Sequence, residues 1–475
     1  MKYDVAIIGA GITGAALARE LSKYELNIIL LEKEIEPAFG VSKSNSGIIH
    51  SGTQNPSDSL KGKLCVEGNR LMREEIAKDL GLNFIQCGQL ITAFDEEEKK
   101  KLFEIKQEGE KLGVPGLEIK DRQWLDKNEP NLSKEVIAAL FSPSAGIISP
   151  YRYVYALIEN ATDNGVILKT ESKVLAIEQK GPKDFEIKTE KEYFKTSFVV
   201  NCAGLYAQEI AEMIGIKDIK IVPRKGEEYL LDKKRENISN HIIFPLPSKN
   251  SKGILMIKTS DGNPMIGPTA HEIEDKEDLS TTENGLNEVL EGVKRMIPSV
   301  DKSDIIAYFA GLRPSCGKDF VIRYEKNRDG FLNMAGIQSP GLTAAPASAA
   351  YAADILFKNG LSCAKKKNFK KYRQRPIHLF QIPLSKTEEL IQKDPSYGDI
   401  VCRCEMVSAM EIRQAIKRGA KTLDGIKFRT RAQAGRCHGG FCTSRIMKIL
   451  SEELNISPLE ITKKGKNSNI IKRIK

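Results

Sequence analysis

Histidine is scarce in this chain, with five in 475 residues. Any imidazole chemistry must therefore be assigned among five positions. A bilayer-spanning run is missing as well. The longest uncharged stretch, 330–353, is broken by Asn333, Gln338, Ser339, Pro340 and Pro346, whereas a spanning helix needs about 20 predominantly apolar residues. No leader with a charged start, an apolar core and a small-residue cleavage site precedes the first strand, so no signal peptide is expected. No internal repeat is found. What remains is ordinary for a soluble globular protein. Hydrophobic residues make up 41% and charged residues 29%, which excludes a disordered chain.

The net charge of +10 is unevenly placed. Residues 1–360 carry about −6 and residues 361–475 about +16. Such a basic end reads first as a nucleic-acid or membrane arm. Aromatics interleaved with the bases are few (Phe369, Tyr372, Phe428), so nucleic acid is not an expected partner. Nine cysteines, four of them crowded near the C-terminus, fit a reducing cytosol with a metal or cluster site better than a disulfide framework.

The chain opens with a short apolar strand over 3–8, an Ala-rich helix over 12–23 and a second strand over 27–31, a βαβ unit with a parallel sheet. Apolar spacing predicts a helix over 58–80 and a charged surface helix over 95–112. Short strands alternate with turns between about 166 and 230. The acidic stretch 271–278 reads as a surface loop. A strand is expected at 331–336 and an Ala-rich helix at 343–358. Residues 361–375 hold seven bases and no acid, which marks a linker.

Between the first strand and helix lies Gly9-Ala10-Gly11-Ile12-Thr13-Gly14. In this setting the glycines serve a tight turn, a close backbone approach to a pyrophosphate and close helix–sheet packing. The helix N-terminus adds N–H groups and partial positive charge. Glu32 ends the second strand, where a carboxylate accepts from ribose hydroxyls and repels a 2′-phosphate. FAD or NAD is thus favoured over NADP. No second glycine fingerprint is present to suggest two nucleotides. A further strand ends at Asn201-Cys202-Ala203-Gly204, and Ile337-Gln338-Ser339-Pro340-Gly341-Leu342-Thr343-Ala344 reads as a strand, a turn and a new helix N-terminus. That dipole end suits the negative charge of a reduced flavin.

Ser44-Asn45-Ser46-Gly47-Ile48-Ile49-His50-Ser51-Gly52 resembles the NSGxIHxG signature of flavoproteins of the D-amino-acid-oxidase superfamily, within it the glycerol-3-phosphate oxidases and L-2-hydroxyglutarate oxidases. Ser251-Lys252-Gly253-Ile254, Gly267-Pro268-Thr269-Ala270, Phe309-Ala310-Gly311-Leu312-Arg313-Pro314 and Ser339-Pro340-Gly341-Leu342-Thr343-Ala344 favour the glycerol-3-phosphate branch. The resemblance implies hydride transfer beside FAD, with His50 as the base that takes the substrate hydroxyl proton. A neutral-range imidazole suits that task. It further implies Arg313, Lys252, Ser339 and Ser46 as substrate contacts. FAD contacts are implied at Gly9, Gly11, Ile12, Thr13, Gly14, Glu32, Lys33, Val41, Ser42, Ser46, Gly47, Ile48, Val174, Gly204, Ile337, Gln338, Gly341, Leu342 and Thr343. Two cations suit a phosphate dianion, although 2-hydroxyglutarate, with two carboxylates, stays open as substrate.

Cys402, Cys404, Cys437 and Cys442 form C-x-C-x32-C-x4-C. Four thiolates suit zinc or an iron–sulfur cluster, but the spacing is unusual for zinc. The segment is similar to the [2Fe-2S] domain of bacterioferritin-associated ferredoxin. It is closer still to the C-terminal domain of the anaerobic glycerol-3-phosphate dehydrogenase large subunit, through Cys402–Glu405, Arg429-Thr430-Arg431 and Gly439–Cys442. This implies a dehydrogenase that relays electrons to a partner flavoprotein or Fe–S subunit. Arg403 and Arg436 would stabilise the reduced, more anionic cluster.

The expected fold class is α/β and α+β. A Rossmann-like FAD-binding domain (about 1–80, 145–220 and 315–360) holds an inserted antiparallel-sheet substrate domain (about 82–142 and 221–312). A basic linker (361–398), a small helical [2Fe-2S] domain (399–456) and a basic tail (457–475) follow. The expected location is cytoplasmic, with the remaining bases available for an acidic partner or the inner face of a membrane.

Overall fold

The computed structural model describes residues 2–247 and 253–473. Two compact units emerge. The first comprises 1–31, 38–168 and 174–372, and the second comprises 32–37, 169–173 and 373–475.

In the first unit, β1 (Lys2–Ile8) lies parallel to β2 (Ile28–Leu31) on one side and to the Tyr193–Asn201 strand on the other. Its apolar run has a use on both faces. Val5 and Ile7 enter one core, while Ala6 and Ile8 enter another across the sheet. That is the pattern of a strand covered on both sides. The sheet continues through Phe331–Ala335, parallel to Tyr193–Asn201, and then antiparallel Val321–Tyr324. Helix α1 (Ile12–Leu21) buries Ala15, Ala16, Leu17, Ala18 and Leu21. The Gly341–Lys358 helix packs against it and buries Ala344, Ala345, Ala349, Ala352 and Ala353. Alanine on both surfaces lets the two backbones approach closely.

A second, largely antiparallel sheet of nine strands carries the rest of this unit. Its longest pair joins Val222–Leu231 to Ile305–Ser315. The Glu283–Met296 helix lays Val289, Leu290, Val293 and Met296 into the core beneath, the stripe expected of an amphipathic helix. The helix expected over 58–80 is present as Leu60–Leu71, a π turn over Met72–Ile76 and Ala77–Asp79. Ser59 caps it by accepting from the Gly62 N–H. The charged helix spans Glu96–Lys111, with Asp95 accepting from the Glu98 N–H. In the acidic stretch, Asp278 is more than solvated surface, since it pairs with Lys225 at 2.7 Å.

The second unit holds a small hairpin, Ile400–Cys402 with Val407–Ser408, and the helices Ala409–Lys417, Leu423–Thr430 and Thr443–Leu454. Ile412, Ala415, Ile426, Ile446 and Leu450 form its centre. Ser408 and Glu411 make a reciprocal capping box. Glu36, wholly buried, ion-pairs with Arg429 and also accepts from the Thr422 hydroxyl at 2.8 Å. Removing one partner of such a pair leaves an uncompensated buried charge. Arg429→Ala is therefore expected to cost about 3–5 kcal/mol, read as a lower urea midpoint of the holoprotein. An unchanged midpoint would show that the pair does not hold the unit together. Among the described residues, no helix is long and apolar enough to cross a membrane.

Candidate active site and cluster site

The turn from β1 into α1 requires its glycines. Gly9 has φ +104°, and a Cβ there would meet the Cys202 carbonyl oxygen at 2.5 Å. A Cβ on Gly14 would lie 2.0 Å from Gly9 O. Gly11 caps α1 without a side chain, and Ile12 N–H donates to Ser42 Oγ at 2.9 Å. Ser42 lies with Val41 in the short Val41–Lys43 turn. The first-turn amides, including those of Thr13 and Gly14, are the groups that an α-helix cannot satisfy internally. The same close approach by Cys202 sets Gly204, which opens the Gly204–Tyr206 turn, near the fingerprint. This bare backbone cradle fits a dinucleotide pyrophosphate.

Ile337 and Leu342 pack against the large core together with Ile12, and Gly341 opens its helix with Pro340 as cap. Gln338 donates to Ser315 Oγ at 3.3 Å. Val174 starts its strand as a buried core residue. Glu32 and Lys33 fall in the second unit. There Glu32 Oε1 accepts from the Glu34 N–H at 2.9 Å, and Lys33 pairs with Glu34 at 3.3 Å.

His50 follows β3 (Ile48–Ile49) directly. Its backbone is held on both sides. The N–H donates to Thr343 Oγ1 at 2.9 Å, and the carbonyl accepts from Asn69 Nδ2 at 3.1 Å. Thr343 in turn donates to Ile48 O. The imidazole Nε2 stands 3.4 Å from Ser339 Oγ, and its ring centre lies 6.0 Å from that of Phe244. Two segments 289 residues apart thus meet through the two side chains singled out for substrate.

On the second sheet, Ser46 Oγ donates to Glu228 Oε1 at 2.9 Å. Gly47 N–H is received by Asn45 Oδ1, which fixes this loop. Arg313 donates to the Thr269 carbonyl through both Nη atoms, at 3.3 and 3.2 Å. Its charge acts on Glu228. Burial pushes Glu228 up to about 7, with Ser46 and Arg313 opposing. Sequence reading missed Glu228. Its only trace there is an acidic residue inside a long strand. Lys252 lies outside the described residues.

The four C-terminal cysteines fall into two pairs within the second unit. Cys404 and Cys437 have their sulfurs 3.7 Å apart, and Cys402 interacts with Cys442. Backbone N–H groups of Phe441, Gly439 and Gly440 turn toward Cys437 and lower its pKa. Burial first, and then Cys402, pushes Cys442 up to about 12. Bound metal reverses that resistance, because a coordinating thiol is deprotonated outright. Among the described residues, no three or more His, Cys, Asp or Glu converge on one point as a mononuclear ion requires. A binuclear cluster takes two cysteines per iron, so the paired arrangement fits [2Fe-2S]. Arg431, in the left-handed region at φ 72°, ends the Leu423–Thr430 helix. It pairs with Glu405 at 3.0 Å and so anchors the Cys402–Cys404 loop.

A nucleotide cradle, a hydroxyl-and-imidazole pair and four clustered cysteines are the features of a flavin oxidoreductase with an added cluster-binding domain. Residues 4–355 match the FAD dependent oxidoreductase family and residues 400–452 the BFD-like [2Fe-2S] binding domain. The chain belongs to the FAD dependent oxidoreductase family. It is 42% identical over 474 residues to a glycerol 3-phosphate dehydrogenase of Caloramator mitchellensis, covering 99% of this chain and 98% of that one. It is 34% identical over 362 residues to a glycerol 3-phosphate oxidase of Mycoplasma genitalium, covering 74% and 94%. The solved structure of dithionite-reduced L-alpha-glycerophosphate oxidase from Mycoplasma pneumoniae, with FAD bound, superposes with a TM-score of 0.76 at 30% identity. That match covers 80% of this chain and all of the other. The protein is a flavin-dependent oxidoreductase acting on a CH–OH group, with FAD and a [2Fe-2S] cluster as cofactors.

Proposed function

We propose that the chain oxidises sn-glycerol 3-phosphate to dihydroxyacetone phosphate and sends the electrons through its own [2Fe-2S] module to a separate protein acceptor. The observation that carries this reading is the meeting of His50 Nε2 with Ser339 Oγ at 3.4 Å. A secondary hydroxyl seated there has a proton acceptor and a hydroxyl to hold it. When bound, FAD supplies a two-electron hydride acceptor and the cluster a one-electron carrier. His50 takes the C2 hydroxyl proton as the C2–H bonding pair leaves, so the alcohol carbon becomes a ketone. Arg313 clamps the phosphate, a task suited to a guanidinium, and Lys252 adds a second cation. Ser46 and Ser339 orient the substrate. Gly9, Gly11 and Gly14 hold the FAD pyrophosphate on bare backbone.

Cys402 and Cys404 with Cys437 and Cys442 hold the cluster. Arg403 and Arg436 are exposed beside these ligands, and Phe441, 87% exposed, stands between Cys437 and Cys442. A basic rim around an aromatic contact suits an acidic protein acceptor, either a flavoprotein or an Fe–S subunit. The remaining bases suit a negatively charged membrane surface.

Anaerobic titration followed by visible absorbance tests the substrate. Glycerol 3-phosphate is expected to bleach the flavin and then the cluster. Bleaching by L-2-hydroxyglutarate with none by glycerol 3-phosphate would sink the reading.

A further inference from the structure

Glu228, which meets Ser46 and lies in the field of Arg313, has no part in the mechanism above. It is 3% exposed, and its Oε2 has no hydrogen-bond partner among the described residues. Its place follows from the strand pair. Gly226 stands directly across from Gly311. A Cβ on Gly226 would lie 2.6 Å from Arg313 Nη2, and one on Gly311 would lie 2.2 Å from Ser44 O. The two glycines therefore clear a slot. Arg313 folds over Gly226 toward Glu228, while the 44–46 loop closes down so that Ser46 reaches Oε1. The groups facing Glu228 are Ser46 from the loop and Arg313 from the Ile305–Ser315 strand, with Arg224 acting on Arg313 from its own strand. The neighbouring Met265–Gly267 strand offers only Gly267, whose Cβ would lie 3.0 Å from Glu228 Cγ.

Resting on the proposed substrate, we infer that Glu228 is a proton-coupled positioning residue of the phosphate site. It takes up a proton when the substrate dianion engages Arg313, and its ionised form opposes that binding. Without substrate, an ionised Glu228 has Arg313 as its compensating cation. Once a phosphate dianion claims that guanidinium, a buried carboxylate is left beside two further negative charges. Like charges and burial both favour its neutral form. The proton goes onto the Glu228 carboxyl, and the substrate is unchanged by this step. By linkage, binding weakens as pH rises past the titration of the free enzyme, which lies at about 7.

The test is anaerobic stopped-flow reduction of the holoenzyme flavin by glycerol 3-phosphate. It yields the apparent dissociation constant separately from the limiting rate. The second ionisation of the phosphate lies near ~6, so it is complete across the range used. In the wild type, the dissociation constant is expected to rise about tenfold per pH unit above pH 8. In Glu228→Gln, which keeps an acceptor for Ser46 but cannot ionise, it is expected to stay flat and low. A wild-type constant independent of pH, or the same slope in Glu228→Gln, would overturn the role while leaving the substrate intact. Failure of glycerol 3-phosphate to reduce the flavin at every pH would overturn both. Should Glu228→Gln not fold, calorimetry of wild-type binding to chemically reduced enzyme in two buffers of different ionisation enthalpy decides the matter. Net proton uptake near pH 8 supports the role, and zero uptake removes it.

Discussion

His50→Ala is expected to retain FAD and to lose about 10²–10⁴ in the rate of flavin reduction by substrate, the range of a positioned general base. That corresponds to about 3–5 kcal/mol of transition-state stabilisation. The variant is a clean test because the backbone here is held without the ring. Thr343 receives the residue 50 N–H, and Asn69 donates to its carbonyl. Alanine keeps both contacts and removes only the imidazole that meets Ser339. The measurement is single-turnover reduction followed by flavin absorbance, with FAD content assayed on the same sample. Reduction at the wild-type rate would refute His50 as the base, and loss of FAD would place the residue in cofactor retention instead.

Replacing Cys437 with alanine is the second large effect. Cys437 has the amides of Gly439, Gly440 and Phe441 directed at it and stands 3.7 Å from Cys404. On the proposed ligand set, its loss takes away one of four thiolates, the sulfur best prepared to be anionic. The expected protein contains no iron or sulfide, its flavin is still reduced by substrate, and delivery to a one-electron protein acceptor is abolished. Cluster loss without any change in acceptor reduction would mean that electrons leave the flavin directly.

The two cofactor sites differ in how far the sequence discloses them. The fingerprint from Gly9 to Gly14 is local: strand, turn and helix are consecutive, with Gly14 answering a contact with Gly9 inside the turn, while Gly9 and Gly11 clear Cys202 and Ser42 from outside it. The four cysteines stand out by their spacing, but their pairing across the two motifs, Cys404 with Cys437 and Cys402 with Cys442, does not follow from it. Glu228 was not legible. The Val222–Leu231 strand carries charge at 224, 225, 227 and 228, on both faces, so alternation does not say which face meets Arg313. That follows only from pairing with a strand about 80 residues later. The π turn at Met72–Ile76 is hidden too, because apolar spacing near 3.6 survives one widened turn. The Ala-rich helix starts two residues earlier than expected, at Gly341, since Gly341 and Leu342 follow a proline cap that reads from sequence as turn.

The Glu36–Arg429 pair has a consequence for synthesis on the ribosome. Its two halves are 393 residues apart in the chain. At about 5–20 residues per second, some 20–80 s separate their emergence. Throughout that interval Glu36 lacks the Arg429 guanidinium with which it pairs in the folded chain. The small iron–sulfur unit, which joins residues 32–37 to residues 373–475, reaches its final set of contacts only when translation is nearly over. A message truncated anywhere before codon 429 therefore loses more than the cluster, because it also leaves the loop after the second strand without its cation.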